Sequence, residues 1–203
     1  MKTIFYMLII IFGFSISASD ARASNSLGIF AECLVQYDAE RMRAWVSWDG
    51  PGLIYKELES VVPRSGCGQS GNWDYWNFRG ALSEALLKDK YASRPVPNLQ
   101  DAKPVTDIEM ALAWGNNDGR EGMLLNVFSE CEVRKNSGEI FRIFMTKFSS
   151  DAENKMLKTL KNNATACRSL AGNIKIRISN QALRARLAIA FYLTDKDGIS
   201  TEN

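Results

Sequence analysis

The sequence predicts a mainly α protein made of two related helical repeats, each with one disulfide and a short extended segment before its closing helix. Three observations predict it. Apolar residues recur at spacings of three and four over most of the chain, the period of a half-buried helix. "FAEC" at 30–33 returns as "FSEC" at 128–131, and each is followed by a second cysteine, Cys67 or Cys167, 34 or 36 residues on. Finally, "GNWDYWNFRGALSEAL" (71–86) lies without a gap on "GNIKIRISNQALRARL" (172–187), sharing a Gly-Asn pair, an Ala-Leu pair and a later Leu.

Taken in order, the chain begins with Lys2, the apolar run "IFYMLIIIFGF" and a small-residue stretch ending Ala21-Arg22-Ala23. A charged start, an apolar run too short to span a bilayer and an A-x-A ending predict a secretory signal peptide over 1–23. The mature protein, Ser24–Asn203, is then expected in the periplasm or outside the cell. It has no second long apolar run, so no transmembrane segment is expected in it. The first repeat covers 24–91. Phe30, Leu34 and Tyr37 repeat at helical spacing, Met42 and Trp45 fall on a following helix, and Leu82 and Leu86 mark the closing helix. Residues 92–120 form a linker: "ASRPVPNLQDAKPVTD" (92–107) holds three of the five prolines, "IEMALAW" (108–114) suits a short helix, and "GNNDG" (115–119) carries turn chemistry.

The second repeat and tail cover 121–203. Ile140, Phe141, Phe144, Met145 and Phe148 make an apolar stripe, and Asp151 suits a helix N-cap with Met156, Leu157 and Leu160 buried behind it. "NIKIRIS" alternates, placing Ile174, Ile176 and Ile178 on one face of an extended segment that could pair with its counterpart in the first half. Leu183, Leu187 and Phe191 mark the last helix. "DKDG" (195–198) starts like a calcium loop, but no Glu follows at the required spacing, so it reads as a frayed tail.

The four cysteines, Cys33, Cys67, Cys131 and Cys167, form no C-x-x-C pair. An even count in an exported chain predicts two disulfides, and the count alone allows three connectivities. Duplication selects Cys33–Cys67 with Cys131–Cys167, because a duplicated unit carries its own bridge.

The same sequence limits the chemistry. It contains no histidine, which removes Ser-His-Asp and Cys-His catalysis and His-built metal sites. No G-x-S-x-G elbow, Walker loop or dinucleotide fingerprint is present, and no cofactor or metal is expected. Two matching carboxylates, Glu32 and Glu130, stand as catalytic candidates for a glycan-directed hydrolase, which needs a carboxylate pair. The structural alternative pairs them with Arg79 or Arg184. In the aromatic run, Trp73 and Tyr75 match Ile174 and Ile176 and read as core. Trp76 matches Arg177 on the opposite face and is a candidate for stacking on a sugar ring or another flat ligand.

Charge is distributed unevenly. Without Lys2, Asp20 and Arg22 the chain has 23 basic and 22 acidic residues, a balance that argues against a nucleic-acid partner. Residues 121–193, however, hold 12 basic against 6 acidic. Lys155, Lys158 and Lys161 share one helical face, and Arg168, Lys175, Arg177, Arg184 and Arg186 follow. These cations suit an anionic partner in the cell envelope: a lipid, an acidic glycan or an acidic protein.

"F-x-E-C-x-V", a second Cys and then "RGALSEAL" resemble small exported proteins of some Gram-negative bacteria that carry this cassette twice. Arg79 to Leu86 fits their closing helix well; Asn180 to Leu187 lacks its Arg-Gly and its Glu. The resemblance implies export and duplication and brings no catalytic residues. The leading expectation is therefore an exported, non-enzymatic envelope accessory or binding protein. The alternatives are the small glycan-directed hydrolase and a protein inhibitor or immunity-type partner.

Overall fold

The computed structural model describes residues 18–47, 60–68, 74–113 and 117–198. The apolar run of the expected signal peptide and Trp73 lie outside the described residues. The structure is mainly helical, and among the described residues there is no strand. Its helices are α1 (Ala18–Ser47), α2 (Tyr75–Lys90), α3 (Ile108–Ala113), α4 (Asn117–Phe144), α5 (Asp151–Asn163), α6 (Thr165–Leu170) and α7 (Asn180–Gly198). Residues 60–65 are also helical. Cys33 bonds Cys67 and Cys131 bonds Cys167, the pairing expected of one bridge per half.

α1 and α4 are built alike. In α1, Phe30, Ala31, Leu34 and Val35 are buried before a kink at Asp38 (φ −155°, ψ 77°), and Met42, Trp45 and Val46 are buried after it. The Asp38 carboxylate accepts the Arg41 N–H at 3.0 Å, which caps the continuing helix. In α4, Phe128, Cys131 and Val133 precede a kink at Asn136 (φ −134°, ψ 34°), and Ile140, Ile143 and Phe144 follow it. Each kink lies five residues after the cysteine. Asp38 thereby satisfies a backbone N–H that its kink frees, whereas the Asn136 amide donates back to the Glu132 carboxylate at 3.1 Å.

The closing helices also correspond, but in a register different from the ungapped alignment. Asp74 caps α2 by accepting from the backbone of Trp76 and Asn77. The Ser179 hydroxyl accepts the Ala182 N–H at 3.1 Å at the start of α7. Buried Arg79 donates to the Val46 carbonyl through Nε at 2.9 Å and Nη2 at 2.7 Å. Buried Arg184 donates to the Phe144 carbonyl at 2.9 Å, the matching position in α4. Cap and arginine therefore equate Asp74 with Ser179 and Arg79 with Arg184, four residues away from the register of the Gly-Asn match. Capping and burial set the phase of a helix; a Gly-Asn pair shared earlier in the sequence does not. Trp76 thus corresponds to Gln181 rather than Arg177. Tyr75 opens a helix instead of lying in an extended strand, and it is half-buried.

α2 and α7 run side by side in the same direction. A Cβ built on Gly80 would lie 2.4 Å from the Ala185 Cβ. Ten residues further along both helices, about 15 Å at helical rise, Lys90 Nζ meets the Asp195 carboxylate at 2.6 Å. One core packs α1 against Phe78, Leu82, Ala85 and Leu86 of α2. The other gathers α4, α5, α6 and α7 with Leu87 and Leu99.

Several local expectations change. Tyr37 and Met145 are 48% and 64% exposed, so neither belongs to its apolar stripe. Ser150, not Asp151, caps α5 by accepting the Glu153 N–H at 3.2 Å, while Glu153 reaches back to the Ser149 N–H. Ile174, Ile176 and Ile178 do pack on the second core with Lys175 and Arg177 outward, but they join no strand. α4 begins at Asn117, inside the expected turn. Asp195 is buried and held by Lys90 and by the Tyr91 hydroxyl at 2.7 Å, so "DKDG" continues a packed helix. The proline-rich segment is docked: Ser137 and Arg134 donate to the Pro97 and Ala102 carbonyls at 2.7 and 3.2 Å.

Candidate functional site

The candidate carboxylates have separate partners. Glu130, 4% exposed, accepts the backbone N–H groups of Val105 and Thr106 at 2.7 and 2.8 Å. It fastens the connecting segment to α4, a two-point clamp typical of a structural carboxylate. Glu32 is on the surface of α1 and meets Lys88 at 3.2 Å. Neither engages Arg79 or Arg184 as expected.

Arg184 is instead the centre of a buried ionic cluster at the seam between the halves. Its Nε and Nη2 bind both Glu84 oxygens at 2.7 Å, a bidentate fork, and its Nη1 is 3.1 Å from Glu153. Burial alone would lower the Arg184 pKa; the hydrogen bond and charge of Glu84, with Glu153 behind, raise it instead. Lys88 extends the chain, meeting Glu84 at 2.7 Å as well as Glu32. The adjoining cavity, lined by Glu32, Gly80, Glu84 and Arg184 among others, encloses about 30 Å³, room for one water.

Trp76 is 37% exposed, more than Tyr75, and one face of its ring carries a cation. The Arg186 guanidinium lies 3.6 Å from the indole centroid and donates to Asn126 at 2.6 Å. Burial first, then the neighbouring Arg79, lowers the Arg186 pKa to about 10, with Asp74 opposing. A ligand ring would have to displace this cation from the face it covers. Arg186 thus covers one face of the indole, and Trp76 is the more exposed of the two aromatic residues, as the alternation implied.

The basic residues divide by environment. Lys155 and Lys158 are exposed on α5, and Lys175 and Arg177 are exposed on the segment before α7. Lys161 is half-buried and donates to Asn180 at 2.9 Å and the Ile178 carbonyl at 3.4 Å; burial lowers its pKa. It is a brace, tying α5 to the strip that carries Arg177. Arg184 and Arg186 point inward. Four exposed cations thus remain on adjoining segments, and among the described residues none has an ion pair. Sequence periodicity found the α5 lysines, but it could not show which later arginines tertiary contacts would withdraw.

Among the described residues no group of His, Cys, Asp and Glu side chains could hold a metal ion, and no helix is long and apolar enough to cross a membrane. Comparison with protein-family models, curated proteins and solved structures finds no match.

Proposed function

We propose that this chain is an exported, non-enzymatic binding protein of the cell envelope, built from a duplicated helical unit, that meets an anionic lipid surface through its second half. The observation that carries the reading is the group of exposed cations without ion pairs, Lys155, Lys158, Lys175 and Arg177, on two segments that Lys161 holds together. Exposed like charges on braced segments add to one field instead of scattering. The two disulfides and the N-terminal pattern support export.

The test is co-sedimentation with vesicles of anionic or purely zwitterionic lipid. The protein should bind the anionic vesicles alone, and binding should fall steeply as salt shortens the screening length to roughly 10 Å at 0.1 M. Reversing Lys155, Lys158 and Arg177 to Glu should abolish it. Binding that ignores salt, or survives the triple reversal, refutes the reading.

A further inference from the structure

A cleft of about 500 Å³ opens where the halves meet, well apart in sequence from the α5 lysines. Its volume falls in the range of roughly 300–1,000 Å³ that small-molecule sites occupy. Arg43 comes from α1, Asp89 and Lys90 from α2, Arg94 from the segment after α2, and Asp195 and Lys196 from α7. Convergence of four segments distinguishes this from one solvated helix face.

The charges do not cancel. Lys90 and Asp195 satisfy each other at 2.6 Å, with the Tyr91 hydroxyl also on Asp195. That leaves Arg43, Arg94 and Lys196 against Asp89, a surplus of two positive charges, and among the described residues none of the three has an ion pair. Tyr192, half-buried, gives the cleft a partly apolar wall.

We propose that this cleft binds a phosphoryl group, with Arg43 and Arg94 as its guanidinium donors and Lys196 as a third charge. A phosphate monoester carries close to two negative charges at neutral pH, matching the surplus, and guanidinium forks suit its oxygens. A single carboxylate would leave one charge uncompensated. The phosphoryl group could belong to a soluble ester or to a lipid headgroup.

The experiment is calorimetric titration with glycerol 3-phosphate, with glycerol as the uncharged control. Glycerol 3-phosphate should bind and glycerol should not. Arg43→Gln and Arg94→Gln should each weaken binding about tenfold or more, the loss of one charge-assisted hydrogen bond. Lowering the pH from about 8 to about 5 should also weaken it, because the ester's second ionisation lies near 6. The triple reversal of Lys155, Lys158 and Arg177 should leave it unchanged, so this site and the lipid-facing surface fail independently. Phosphatidic acid vesicles that displace the soluble ester assign the headgroup as the source; vesicles that do not displace it assign the free ester. Absence of heat up to about 10 mM, weaker than any affinity expected of a built site, would overturn the proposal. So would a double Arg43→Gln/Arg94→Gln variant that binds normally yet melts lower, because the arginines would then serve only to neutralise nearby helix C-termini.

Discussion

Replacing Gly80 with alanine should destabilise this protein, although the same change in an open helix stabilises. Gly80 lies inside α2, where alanine is ordinarily favoured by about 1 kcal/mol. Here the new Cβ would sit 2.4 Å from the Ala185 Cβ, 2.5 Å from its Cα and 2.9 Å from its carbonyl oxygen. Carbon atoms pack at about 3.5–4.0 Å, so α2 and α7 would have to part by roughly 1–1.5 Å. Two of the obstacles are backbone, and no rotamer change relieves them. Overpacking of this kind costs roughly 1–3 kcal/mol, and an unyielding contact belongs at the upper end. Subtracting the propensity gain leaves a loss of about 2 kcal/mol, or a melting point lower by roughly 4–8 °C for a chain of this size.

Gly138 provides the internal control. It is exposed in α4, and a Cβ there meets nothing within 4 Å. Gly138→Ala should leave stability unchanged or raise it by up to about 1 kcal/mol. Circular dichroism melts of both variants, with disulfides intact, decide the matter. If Gly80→Ala melts at or above the parent temperature, the close approach of α2 and α7 is wrong, and so is the two-half architecture that depends on it.

Further predictions use the same measurements. Arg184→Met should cost about 3–5 kcal/mol because it strands buried Glu153 and half of the Glu84 cluster; Glu84→Met should cost less, since Arg184 keeps Glu153 and the Phe144 carbonyl. Removing either disulfide as a Cys→Ser pair should cost about 4 kcal/mol on the chain-entropy relation, because the loops of 34 and 36 residues are nearly equal; a loss at one bridge only would refute equal constraint. Trp76→Ala should cost roughly 1–2 kcal/mol through the Arg186 stack, and Trp76→Phe should recover part of it. Glu132 is buried, and burial raises its pKa above 4.5 with Asn136, Lys135 and Arg168 opposing. A carboxyl whose folded pKa is raised favours folding fully below its unfolded pKa and loses that contribution as pH rises through the folded one. Glu132→Gln should therefore stabilise at neutral pH, with the gain vanishing below about pH 4.5; a gain that persists in acid would refute the assignment.

The helical class and both bridges were legible because they rest on local period and on the spacing of few residues. The register of the closing helices was not, for a physical reason. Gly-Asn at 71–72 and 172–173 is an identity of sequence alone, whereas the helix phase is set by Asp74 and Ser179 as caps and by Arg79 and Arg184 reaching equivalent carbonyls. Those carbonyls lie 33 and 40 residues upstream, and no periodicity reports them. The cationic residues show the same limit. Lys155 and Lys158 stayed on the surface as their helical spacing implied, while Arg184 found two carboxylates and Arg186 an indole. Glu130 could be paired with an arginine on charge alone; its actual partners are two backbone N–H groups in the proline-containing segment. The cleft draws on four segments and leaves no trace in any one of them.

The register also explains why two such halves benefit from sharing one chain. In the corrected correspondence Gly80 matches Ala185 and Lys90 matches Asp195, and each residue touches its own counterpart. Residues on the line between two like units must either be small or complement themselves. Identical copies meet that requirement poorly at a charged position: Lys against Lys or Asp against Asp would place like charges together, whereas Lys90 against Asp195 forms a 2.6 Å pair with one partner buried. The Glu84 position is likewise broken, since its counterpart is buried Ile189, and the bidentate bond to Arg184 forms once rather than twice. Fusion of duplicated units, as proposed above, lets each position on the seam diverge separately. The cleft proposed to take phosphate lies at the Lys90–Asp195 end of that seam, where divergence also removes any need for its lining to be symmetric. Restoring symmetry by Asp195→Lys should therefore oppose Lys90 directly, leave the Tyr91 hydroxyl without its acceptor and lower the melting point. Lys90→Asp in the same chain should recover much of that loss, because exchanging the two charges rebuilds the pair; failure of the exchange to rescue would show that the seam depends on Tyr91–Asp195 and not on the complementarity of equivalent positions.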